Sequence, residues 1–159
     1  MNLALLNRRL LTRACLAGVT VAAVVGLSGC GMTGTAKSSN LVAMSTQLRG
    51  ANEVPPNPRT GGGSVDAVLD KDTNLFRWKV NYSGLSGPAT AGHFHGPAGV
   101  GANAGVVLPW AGTMASPMEG SATLTASQTA DLLAGLWYAN VHTAAHPAGE
   151  LRGQMTMRN

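Results

Sequence analysis

The sequence predicts an all-β fold, an antiparallel sandwich or small barrel with one short helix. Three observations predict it. Short runs with period-two alternation recur after residue 40, most clearly in LFRWKVNY: Phe76, Trp78, Val80 and Tyr82 fall on one face, Leu75, Arg77, Lys79 and Asn81 on the other. Clusters of Gly, Pro, Asn and Asp separate these runs and supply turn conformations. Only one segment, TASQTADLLAGL, has helical spacing, and Thr125 with Gln128 three residues on forms a capping-box signature at its start.

The elements follow in order. Residues 1–29 read as a signal peptide: Arg8, Arg9 and Arg13 precede an uncharged apolar run from Ala14 to Gly26, and Leu27-Ser28-Gly29-Cys30 closes it. That ending resembles the bacterial lipobox, in which the cysteine carries lipid. The run is shorter than the roughly 20 apolar residues a membrane span needs, which favours cleavage over a retained anchor. Residues 30–40 are then lipidated Cys30 and a small, polar, flexible tether, and residues 41–158 are the folded domain. The expected location is the cell envelope, lipid-anchored on the membrane through Cys30, periplasmic or at the outer membrane.

LVAMSTQLR is a first strand, and ANEVPPNPRTGGG is too rich in Pro and Gly for regular structure. SVDAVL and LFRWKVNY form a hairpin around DKDTN. TAGHFH is a short strand, GPAGVGANAG a loop, and VVLPW and SATLT further strands. The helix ends at Gly135. WYANVHT and ELRGQMTM are the last two strands, joined by AAHPAG.

Charge excludes some functions. The whole chain carries a formal +4, but eight basic and seven acidic side chains follow Cys30, so the domain carries only +1. With no basic patch interleaved with aromatics, nucleic acid is not an expected partner. Cys15 lies in the signal and Cys30 carries lipid, leaving the domain without a disulfide or a reactive thiol. No Ser lies in a GxSxG elbow, and no glycine-rich loop has the Lys-Ser/Thr of a phosphate site.

All four histidines fall in two segments, GHFHGPAG and NVHTAAHPAGE. On a strand, residues i and i+2 point the same way, so His93 and His95 present two imidazoles side by side while Phe94 faces the other way. The same rule puts Tyr138, Asn140 and His142 on one face of WYANVHT. If these strands pair, His142 meets His93 and His95, and three imidazoles with an open position suit Zn, Cu or Ni. His146, before Pro147, is a possible fourth ligand or a cover. Glu150, with Tyr138 and Asn140, is placed to orient the ligands from behind. The competing reading makes these histidines architectural, hydrogen-bonded braces of two turns. Met155 and Met157, on one face with Leu151, are better read as core than as thioether ligands. Glu150, Arg152 and Gln154 on the opposite face read as a surface network.

Three segments, LRGANEVPP, YSGLSGPATAGHFHGPAG and LLAGLWYANVHTAAHPAGELRGQM, together resemble the CHRD domain, a module of chordin and of many bacterial secreted proteins. Phe94 departs from the aliphatic residue common at its position. The resemblance implies an immunoglobulin-like sandwich or related barrel and no enzymatic activity; in chordin the modules belong to an extracellular protein that binds growth factors. A fainter similarity links the strand H-x-H to copper-zinc superoxide dismutase, whose β-sandwich holds copper partly through such a pair. That enzyme needs more histidines, a zinc-binding Asp and a disulfide-braced loop, which this chain lacks. The expected function is therefore a non-enzymatic, lipid-anchored metal-binding module, copper first and zinc second. The alternative is a structural or interaction module with a protein or polymer partner, and weak copper redox activity is the remaining enzymatic reading.

Overall fold

The computed structural model describes residues 40–158; the expected signal peptide, Cys30 and most of the expected tether lie outside the described residues. Nine strands and one helix follow: β1 (Leu41–Arg49), β2 (Gly62–Asp70), β3 (Leu75–Ser83), β4 (Ala89–His95), β5 (Val106–Pro109), β6 (Met118–Thr123), α1 (Ala126–Leu133), β7 (Tyr138–Thr143), β8 (Leu151–Gln154) and β9 (Thr156–Met157). All the pairings are antiparallel, in the order β5-β4-β7-β8-β1-β2-β3-β6, with β9 added to β1. The all-β class with a single short helix is thus as expected.

The sheet curls until its two halves share one core. Phe94 on β4 lies 5.3 Å from both Phe76 and Trp78 on β3, edge-on to each, although five positions separate the strands in the sheet order. Such aromatic pairs add about 0.5–1.5 kcal/mol each beyond their burial. Met44, Leu48, Val65, Leu69, Phe76, Val80, Trp137, Val141 and Leu151 complete the same fully buried cluster. The expected Phe76/Trp78/Val80 face of β3 is the buried one, and Arg77 and Lys79 are exposed.

The helix forms where its cap predicts. Thr125 Oγ1 accepts from the Gln128 N–H while Gln128 Oε1 accepts from the Thr125 N–H. Gly135, at φ +72°, follows the last turn, a left-handed position that favours glycine.

Several boundaries differ from expectation. The stretch ANEVPPNPRTGGG is not wholly irregular: a 3-10 turn spans Gly50–Asn52, and β2 already starts at Gly62, where its ladders with Arg49 and Ser83 begin. β7 starts at Tyr138, one residue after Trp137. β6 starts at Met118, before SATLT, because its ladder with β3 already begins at Met118–Val80. Trp110 lies beyond β5 and packs over Gly92, where a β-carbon would collide with its ring. ELRGQMTM is two strands, not one. The Met155 N–H turns to the Trp137 carbonyl and its side chain is fully buried; beyond it β9 crosses to β1 and leaves Met157 exposed. Met157 is therefore not core.

Candidate metal centre

β4 and β7 are hydrogen-bonded neighbours, with His93 opposite Asn140 and His95 opposite Tyr138. β8 flanks β7 on its other side, placing Arg152 opposite Asn140 and Gln154 opposite Tyr138. The outward faces of these three strands carry His93, His95, Tyr138, Asn140, His142, Arg152 and Gln154. Phe94, Ala139, Val141 and Leu151 point the other way, into the core. The 96–105 loop and the 50–58 segment fold over this polar face. Glu150 is fully buried, Arg152 is only 2% exposed and Gln154 is half-buried, so the residues expected to form a surface network are largely interior.

With β4 and β7 paired, His93, His95 and His142 come together: one ring nitrogen from each lies within 4.8 Å of the others. His93 Nδ1 is 3.1 Å from His142 Nε2. His95 Nδ1 and His142 Nδ1 each lie 3.0 Å from a backbone carbonyl, of Ala104 and Pro147 respectively. A carbonyl only accepts, so both Nδ1 atoms carry the proton and both Nε2 atoms present a lone pair. The His142 lone pair meets His93. The His95 Nε2 is buried and has no hydrogen-bond partner. Burial lowers the pKa of all three rings, and for His95 the charges of His93 and Arg152 add to this. They are therefore neutral at pH 7, as metal ligands must be.

Tyr138 backs His95: the rings stack 4.8 Å apart and 3° from parallel, and the Arg152 guanidinium sits 3.4 Å over the far face of Tyr138. The Tyr138 hydroxyl donates to the Ala104 carbonyl and accepts from its N–H. Tyr138 thus sets both the His95 ring plane and the carbonyl that fixes its tautomer. Asn140 is held by its Nδ2–H donating to Glu53 Oε1 at 2.7 Å. Gly149 lies against that bond, at φ +134°, where a β-carbon would strike both partners.

His146 stands outside the trio, its Nε2 accepting from Arg59 Nε at 2.9 Å. Glu150 is fully buried but faces Ser86 and Thr143 rather than an imidazole. Its oxygens accept from Ser86 N–H, Ser86 Oγ and Thr143 Oγ1 at 2.5–2.7 Å. Burial by itself raises the Glu150 pKa, and these hydrogen bonds outweigh it and hold the carboxyl below its usual value. Its link to the trio is thus through the backbone, since Thr143 follows His142.

Sequence reasoning gave no role to Glu53 or Asn103. Glu53 reaches Asn140 across 87 residues, and Asn103 bridges the two covering segments by donating to the Val54 carbonyl while accepting from Arg152. The segment LRGANEVPP marked the neighbourhood of Glu53, but nothing local assigns its partner.

No match was found to a curated protein or to a solved structure. The family model of the CHRD domain matches residues 44–155. That interval begins in β1, takes in both histidine segments with the strands that carry them, and ends at the core residue Met155; the chain belongs to the CHRD domain family.

Proposed function

We propose that this protein is a metal-binding module of the cell envelope, holding one copper ion through His93, His95 and His142, with zinc the alternative ion. The observation that carries the reading is the His95 Nε2: a buried nitrogen with no partner, grouped with ring nitrogens of His93 and His142. Buried polar atoms are nearly always satisfied, and a metal ion supplies the missing partner for a lone pair. Nitrogens bound at 2.0–2.1 Å to one tetrahedral ion lie about 3.3 Å apart, close to the 3.1 Å between His93 and His142. Imidazole ligands suit both copper and zinc, and among divalent ions the affinity order favours copper. The carbonyls of Ala104 and Pro147 would orient two of the ligands, a common role for the outer ring nitrogen. His93 would bind through Nδ1 as its other neutral tautomer, the proton moving from Nδ1 to Nε2.

A lipid on Cys30 would tether the module to the membrane, consistent with the signal-like residues 1–29. A second reading has its own support: His95, His142 and His146 each tie one segment to another, as architectural histidines would. Metal analysis and copper titration of the protein, beside a His93→Ala/His95→Ala variant, separate the two. The proposal expects one ion per chain, lost in the variant. No binding by either protein, with the variant only less stable, overturns it in favour of the architectural reading.

A further inference from the structure

On the same polar face, one strand beyond the histidines, a groove of about 770 Å3 opens between Ala51–Pro56 and the tip of the 96–105 loop. Its volume falls in the range of small-molecule sites, about 300–1,000 Å3. Arg152 and Gln47 line it, and Val54, Pro56 and Val100 give it an apolar wall. Val100, at the mouth, is 85% exposed.

Arg152 is the unusual member. It is a buried cation, yet among the described residues the ion pairs are Lys79–Glu119 and Arg158–Asp66, and neither involves it. The guanidinium has five N–H donors, and the protein accepts from Nη1 and Nη2 once each, at Asn103 Oδ1 and the Ala102 carbonyl. Tyr138 covers one of its flat faces. A buried charge is costly unless it is fully paired, and the neighbouring carboxyl, Glu53, feels the Arg152 charge but takes its side-chain hydrogen bond from Asn140, not from the guanidinium. We propose that the groove binds a small organic carboxylate, its head on the Arg152 guanidinium and its apolar body along Val54, Pro56 and Val100.

Charge-assisted contact with guanidinium supplies the selectivity for carboxylate, and the exposed valine at the mouth supplies the preference for an apolar body. Glu53 does not oppose this at mildly acidic pH, since burial pushes its pKa up to about 7. Tyr138 lies between the Arg152 guanidinium and the His95 ring, and carboxylate binding in the groove needs no metal at the histidine trio.

The test is calorimetric titration of the full-length protein with octanoate and, in parallel, octanol, at pH 6 in EDTA so that no metal–carboxylate contact contributes. Octanoate is expected to bind at one site at least about tenfold more tightly than octanol. Val100→Asp, a surface change at the mouth, should weaken octanoate while leaving the ligand-free melting temperature unchanged. A folded Arg152→Gln chain should lose the preference for octanoate over octanol; if that chain does not fold, Val100→Asp still decides. No octanoate binding, equal binding of octanol, or undiminished affinity in Val100→Asp overturns the proposal.

Discussion

His142 Nε2 sits 3.1 Å from His93 Nδ1, although 49 residues separate them in the chain. The antiparallel ladder of β4 and β7 makes that contact, because it sets His93 opposite Asn140 and leaves His142 one step along on the same face. His142→Ala should therefore abolish copper binding as fully as His95→Ala does. His146→Ala should leave the affinity unchanged, since its ring is engaged by Arg59. Titration of the three variants checks this, and retained binding in His142→Ala would remove that residue from the site.

Metal should also stabilise the fold. An ion that binds only the native state adds about 2.7 kcal/mol at one hundred times its dissociation constant. Thermal melts with and without excess copper should show an upward shift in the wild-type protein and none in His93→Ala/His95→Ala.

Glu53 makes stability depend on pH. Burial raises its carboxyl from 4.5 to about 7, against the Arg152 charge and the hydrogen bonds from Asn140 and the Val54 N–H. Because the folded pKa exceeds the unfolded one, the native state holds a proton that the unfolded chain has lost. Stability should fall as pH rises from about 4.5 to about 7 and level off above that, by at most about 3 kcal/mol. Urea melts between pH 4.5 and 8 should show this slope, and Glu53→Gln should flatten it.

Glu150 has the opposite sign. Its folded pKa lies below the ordinary value, so its contribution is present above about pH 4.5 and is lost as pH falls further. Glu150→Gln puts an amide donor where Ser86 and Thr143 also donate, which should cost about 1–3 kcal/mol near neutral pH. An unchanged denaturation midpoint would show that Ser86 and Thr143 find other acceptors.

Phe94 separates two of the proposed ligands in sequence and anchors their strand from the core side, edge-on to Phe76, Trp78 and Trp110. Phe94→Ala should destabilise the domain by about 3–5 kcal/mol. Copper affinity should fall with it, since β4 loses the packing that holds His93 and His95 outward. Equilibrium unfolding and titration of one preparation measure both effects.

The sequence by itself determined the fold class, the β2–β3 hairpin, the capped helix and the pairing of His93 with His95 on one strand face. Each of these rests on local rules: alternation, turn residues, and side chains reaching backbone three residues away. It also made His142 a candidate, since alternation alone puts Tyr138, Asn140 and His142 on one face. Only the tertiary structure decided that β4 and β7 are neighbours, that Glu150 serves Ser86 and Thr143 rather than a histidine, and that Arg152 is interior. It likewise decided that Met155 breaks the last strand while Met157 faces solvent. Those outcomes depend on which strands meet and on which loops cover the polar face. Contacts across 49 and 87 residues, Asn103–Val54 and Glu53–Asn140, help set them, and no periodicity within a single segment encodes a partner at that distance.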